Sequence, residues 1–264
     1  MTVNFAKYHG TGNDFILIDN RTDFFSVNKE FISNLCHRRF GIGADGLILL
    51  NKANGFDFEM LYFNSDGNQA TMCGNGGRCI VAFAQKLGII QQNAIFKAVD
   101  GLHTARILEV DKHDTLIELS LNDVELYHFV GADCLLDTGS PHLVRFMEYS
   151  DLRKFNVKKE GRKIRYRSPY TNEGINVNFV CETSEGIFVR TYERGVEAET
   201  LSCGTGVTAS ALAWSLNKNL LRGPVEVFTR GGNLTVDFEK ADEKFIHINL
   251  TGLATFVFTG KYSI

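Results

Sequence analysis

The chain has 264 residues, 44% of them hydrophobic and 22% charged, a composition that supplies a packed core and excludes a disordered chain. Lys+Arg 28 against Asp+Glu 31 leaves a net charge of −3, which argues against a dedicated nucleic-acid binder or a polybasic membrane-surface protein. There is no run of about 18 apolar residues, the opening MTVNFAKYHGTGNDF lacks the apolar stretch of a secretory signal, and the cysteines are too scattered for a disulfide scaffold, so a reduced, cytoplasmic protein is expected.

In chain order, segments rich in β-branched and aromatic residues predict strands over 15–18, 47–50, 58–63, 95–99, 116–121, 187–192, 225–229, 234–238, 245–250 and 254–258. Asn54-Gly55, Asp66-Gly67, Asp100-Gly101 and Gly231-Gly232 punctuate them as turns. A surface helix is predicted over 28–39, where Phe31 and Leu35 are four apart and Gly41 stops the pattern. Residues 74–87 and 204–217 carry small and apolar side chains on every side, the mark of buried helices. Many strands with two buried helices read as α+β.

The second half repeats the first. Cys73-Gly74-Asn75-Gly76 matches Cys203-Gly204-Thr205-Gly206 at an offset of 130. Tyr62 and Tyr192 each precede their cysteine by eleven residues, and Thr11-Gly12-Asn13 resembles Thr138-Gly139-Ser140 at an offset of 127. A strand, loop, Cys-Gly-x-Gly and buried helix therefore occur twice. Duplicated halves often pack about a pseudo-twofold axis, an operation that would set the two cysteines facing one another.

A helix N-terminus presents unpaired N–H groups and partial positive charge, a setting that suits a carboxylate and favours thiolate over thiol. The dipole is worth up to about 2 kcal/mol, roughly 1.5 pKa units, which brings a cysteine from about 8.5 to about 7. A nearby His would push one cysteine further. Two adjacent thiolates repel, so the pair settles as one thiolate and one thiol. A base and an acid on opposite faces of one carbon invert a stereocentre, and backbone N–H groups stabilise the enolate-like carboxylate that forms on the way.

The motifs YHGTGNDF, GIGADG at 41–46, NSDGNQATMCGNGGRC at 64–79, TGSPH at 138–142, INVNF at 175–179 and YERGVEAETLSCGTG at 192–206 resemble the diaminopimelate epimerase family. The resemblance implies two pseudo-symmetric halves, each a mixed β-sheet or barrel wrapped around a central buried helix. The halves would span 1–122, with 251–264 returning to the first, and 123–250, with the active site in the cleft between them. It implies interconversion of LL- and meso-2,6-diaminoheptanedioate, on the way to lysine and peptidoglycan, without pyridoxal phosphate or metal. Cys73 and Cys203 match the acid/base cysteines. Asn13, Asn64, Gly74, Asn75, Asn176, Glu193, Arg194, Gly204 and Thr205 match substrate-binding positions. His142 and Glu193 match the residues that tune the cysteines. Ser140 and Gly46 stand where many or some members have Asn and Gln, so these are weaker substrate contacts. The resemblance further implies diaminopimelate as the small-molecule partner, no nucleic acid, no membrane, and a homodimer.

Blander readings stand beside these. A lone cysteine is more often a buried structural thiol, as Cys36, Cys134 and Cys181 are read here. Cys79 shares the helix of Cys73, and the pair would be a redox couple only with unusual spacing. Glu193-Arg194 alone would read as a surface ion pair, and the basic stretch from Arg153 to Arg167 as a solvated helix face. A proline-type racemase, a phenazine-type isomerase and a thiol–disulfide protein using Cys73 and Cys203 remain alternatives.

Overall fold

The computed structural model describes residues 2–25, 28–125 and 127–263. The chain divides into two compact units, residues 1–119 with 252–264 and residues 120–251. The first runs β1 (Thr2–Gly10), β2 (Asn13–Asp19), α1 (Lys29–Cys36), β3 (Gly46–Asn51), β4 (Phe58–Asn64), β5 (Gln69–Ala70), α2 (Gly74–Lys86), β6 (Asn93–Ala98), β7 (Gly101–Asp111) and β8 (Asp114–Ser120). There follow β9 (Tyr127–Val130), β10 (Asp133–Asp137), β11 (Pro141–Phe146), α3 (Tyr149–Lys154), α4 (Val157–Arg165), β12 (Asn176–Glu182), β13 (Ile187–Glu193), β14 (Ala198–Thr200) and α5 (Gly204–Lys218). The last strands are β15 (Val225–Thr229), β16 (Gly232–Ala241) and β17 (Lys244–Ser263).

In the first unit the later part of β17 pairs with β1, and pairing then runs β1–β2–β3–β4–β6–β7–β8 and back to β17, a closed ring of eight strands. The pairs β2–β3 and β4–β6 are parallel, and the others antiparallel. The second unit repeats this order of pairings. β9–β10 and β10–β11 are antiparallel, β11–β12 parallel, β12–β13 antiparallel, β13–β15 parallel and β15–β16 antiparallel. The short hairpins β4–β5 and β13–β14 also correspond. The sequence repeat is thus a repeat of topology, and the fold is α+β.

A ring of strands needs an apolar filling, and the two buried helices supply it. α2 packs on β1, β2, β3, β4 and β7, and α5 on β10 to β13, β15 and β16. Residues 74–84 of α2 are all buried. Around α5 the core gathers Val144, Val180, Val189, Val227, Val236 and Phe245.

The predicted helix over 28–39 is shorter: Asn28 caps it by accepting from the Phe31 N–H, and it ends at Cys36. The strands predicted over 245–250 and 254–258 are one strand, β17. Gly252 between them is buried within the strand and interrupts nothing. The basic stretch forms α3 and α4. Val157, Gly161 and Ile164 of α4 face inward, and its Lys163 pairs outward with Glu160 at 2.9 Å. Among the described residues no helix is long and apolar enough to cross a membrane.

Candidate functional site

Each unit places one cysteine at the N-cap of its buried helix. Cys73 is extended at φ −104°, ψ 128°, and its side chain makes no capping bond. Its carbonyl accepts from the Gly77 N–H at 2.7 Å, so the backbone pairing of α2 starts from Cys73. Cys203 stands the same way before α5, with φ −125°, ψ 114°, and its carbonyl accepts from the Val207 N–H at 2.8 Å.

In the first unit the Cys73 thiol donates to Asn13 Oδ1 at 3.6 Å. Asn13 opens β2 directly after the turn Thr11-Gly12, whose φ values of 49° and 84° match a tight hairpin. Its amide has one orientation because Nδ2 donates to the Asp45 carboxylate at 2.9 Å, and a carboxylate only accepts. Asp45 is held by Arg38 at 2.6 Å, and Arg38 and Lys7 both pair with Asp14. Burial raises the Asp14 carboxyl, but Arg38 and Lys7 outweigh it and hold Asp14 well below the usual carboxylate range. Asn75 Nδ2 donates to Asn13 Oδ1 at 3.3 Å, and Asn75 Oδ1 accepts from Arg78 at 2.7 Å.

Arg78 is fully buried in a helix that otherwise reads as apolar. Its side chain turns back to donate to the Gly74 carbonyl at 3.2 Å, so a guanidinium lies beneath the start of α2. Asn64 ends β4 opposite Gly46; it is exposed and stands outside this hydrogen-bonded group. Gly46 is buried, and a Cβ there would fall 2.5 Å from the Phe63 carbonyl oxygen, so the close packing of β3 on β4 accounts for the glycine.

In the second unit Cys203 Sγ lies 3.4 Å from Thr205 Oγ1. Thr205 Oγ1 is 3.0 Å from His142 Nε2 and 3.4 Å from Ser140 Oγ. Asn176 Nδ2 donates to Ser140 at 3.1 Å, and Asn176 Oδ1 accepts from the Arg194 backbone N–H at 2.8 Å. The Arg194 guanidinium donates to the Glu173 carbonyl at 3.0 Å, and Glu193 precedes it at the end of β13. His142 is completely buried, and burial, aided by the charge of Arg194, lowers its pKa to about 3. It is neutral at physiological pH. A cationic histidine pushing a cysteine toward thiolate is therefore replaced by a neutral ring that hydrogen-bonds.

The remaining cysteines are buried. Burial pushes the Cys36 thiol up to about 12 and Cys134 to about 11, and it raises Cys79 and Cys181 as well. Such thiols are inert.

Of the residues singled out from the sequence, the structure brings Asn13 and Asn75 to Cys73, and Thr205, His142, Ser140 and Asn176 to the neighbourhood of Cys203. Sequence reasoning missed Asp45, Arg78 and Asn178. A charged residue in the middle of a helix whose centre is otherwise small and apolar signals Arg78. The i, i+2 spacing of Asn176 and Asn178 on one strand face signals Asn178.

The family model described as diaminopimelate epimerase matches residues 5–119 and 134–257. A diaminopimelate epimerase of Flavobacterium psychrophilum is 52% identical over 254 residues, covering 96% of this chain and 97% of the relative. One of Aquifex aeolicus is 40% identical, covering 99% and 98%. Among solved structures, a PhzF-family phenazine biosynthesis protein of Bacillus anthracis covers all of both chains with TM-score 0.78 at 15% identity. A hydroxyproline epimerase of Agrobacterium vitis has TM-score 0.71 at 12% identity, covering 100% of this chain and 93% of that one. The last two likenesses concern the fold alone.

Proposed function

The chain belongs to the diaminopimelate epimerase family, and from that membership we propose that it interconverts LL- and meso-2,6-diaminoheptanedioate by two-base proton transfer between Cys73 and Cys203. One observation carries the mechanism: a cysteine occupies the N-cap of a buried helix twice, once in each unit. One sulfur, as thiolate, removes the α-proton from one face. The other, as thiol, delivers a proton to the opposite face, and the reverse reaction exchanges the roles. The N–H groups of Gly74, Asn75, Gly204 and Thr205 stabilise the charge that develops on the adjacent carboxylate.

The two sulfurs have unlike neighbours, which supports one acid and one base. Cys73 donates to an oxygen, Asn13 Oδ1, whereas Cys203 stands beside a hydroxyl. Asn13, Asn64, Asn176 and Glu193 accept from the substrate ammonium groups, and Arg194 offers a forked donor to the distal carboxylate. Ser140 has a shorter reach than asparagine, and Gly46 supplies backbone alone. His142 and Glu193 tune the cysteines. The enzyme acts in the cytoplasm, as a homodimer, in lysine and peptidoglycan precursor synthesis.

Incubation with LL-diaminopimelate in D2O, without added cofactor, tests the reading. Deuterium should enter at the α-carbon as meso product accumulates. Exchange with proline but not with LL-diaminopimelate would move the chain to the racemase reading.

A further inference from the structure

Asn178 is fully buried on β12, two residues beyond Asn176, and its amide has a single possible orientation. One end faces the Leu143 carbonyl at 3.2 Å and His142 Nδ1 at 3.0 Å, and the other faces Thr191 Oγ1 at 2.9 Å. A carbonyl only accepts, so the end facing Leu143 is the NH2 group. That group therefore donates to His142 Nδ1 as well. Nδ1 must then be unprotonated, and the neutral ring carries its proton on Nε2.

The consequence reaches Cys203. Asn176 is pinned in the same manner, with Nδ2 against the Pro141 carbonyl at 3.3 Å and Oδ1 against the Arg194 N–H. Ser140 Oγ thus receives from Asn176, and the His142 Nε2–H points at both Ser140 Oγ (3.1 Å) and Thr205 Oγ1 (3.0 Å). Thr205 Oγ1 accepts from His142, so its own proton has Ser140 Oγ and Cys203 Sγ as possible acceptors. Because Ser140 Oγ already accepts from Asn176 and His142, the proton is assigned to Cys203 Sγ. Gly206 belongs to the same construction, since a Cβ there would lie 2.4 Å from Asn178 Oδ1.

We propose that Asn178 is a positioning residue that holds His142 as the Nε2–H tautomer, so that Thr205 turns its hydroxyl proton onto Cys203 and stabilises the thiolate. The proposal rests on the reading of Cys203 as an acid/base group. Several charged groups on the elements packed about His142 are engaged elsewhere, Arg190 with Glu199 among them, and Glu193 ends β13 beside Arg194. Asp133 pairs with Arg145, Glu182 pairs with Lys218, and Asp137 accepts from the Gly139 N–H. Arg194 is the charge that bears on the ring and disfavours its protonation.

Two measurements test this. In the wild-type protein, imidazole 15N shifts should show His142 as Nε2–H with no titration from about pH 8 to about pH 5. An Nδ1–H tautomer, or a ring that protonates in that range, overturns the proposal. In a Cys73→Ser background, the pH dependence of Cys203 alkylation by iodoacetamide reads the thiolate directly and needs no epimerase activity. Asn178→Asp, which demands a proton on Nδ1, and Thr205→Val should each raise the alkylation midpoint by about one to two pH units, the worth of one hydrogen bond to a charged group. Thr205→Ser should keep the wild-type midpoint. Unmoved midpoints in both Asn178→Asp and Thr205→Val sink the proposal. Shifted midpoints in a protein that does not epimerise diaminopimelate would leave the relay standing and remove the functional reading.

Discussion

At the scale of single residues, His142 has a cost that can be measured. Its pKa falls from 6.5 to about 3 on folding because burial penalises the charged ring. Between these values the unfolded chain binds a proton that the folded chain refuses, so stability rises with pH across the window and is lost on acidification. The slope is about 1.4 kcal/mol per pH unit for one group. We predict that urea midpoints fall steadily from about pH 6 to about pH 4, and that His142→Gln flattens this limb. Asp14, held low by Arg38 and Lys7, adds its own loss only on acidification through and below the ordinary carboxylate range. Equal slopes in the two proteins would show that His142 is protonated without penalty. Cys73, Cys203, Asn13 and His142 were legible in the sequence because motif and repeat marked them. The neutrality of His142 was not, because it depends on burial beneath residues distant in the chain.

At the scale of elements, α2 and α5 were legible because small and apolar residues on all sides have few other homes. β1, β10, β11 and β12 were not, because Lys7, Asp133, His142, Asn176 and Asn178 break their apolar runs. Those polar residues are retained for pairing inside the fold, and periodicity is blind to partners. The helices of the basic stretch are seated by contact. Gly161 lets α4 lie against β13, and a Cβ there would fall 2.4 Å from Tyr192 Cβ. Gly161→Ala should therefore lower stability by about 1–3 kcal/mol through overpacking, read as a lower melting temperature. It should do so despite the better helix propensity of alanine. A stabilised variant would mean that α4 is free to shift outward.

At the scale of the molecule, each unit has its own core and its own cysteine at a helix start, and β17 contributes its first part to one unit and its second part to the other. Duplication gave two helix starts, and divergence made their surroundings different: an amide oxygen at Cys73, a hydroxyl at Cys203. Two-base inversion requires both sulfurs, and a one-base enzyme does not. The most direct measurement is the steady-state rate of LL-to-meso conversion by Cys73→Ala and Cys203→Ala, each checked for an unchanged melting temperature. Both should lose about 100-fold or more in kcat. Turnover within a few-fold of wild type in either folded variant would contradict the account.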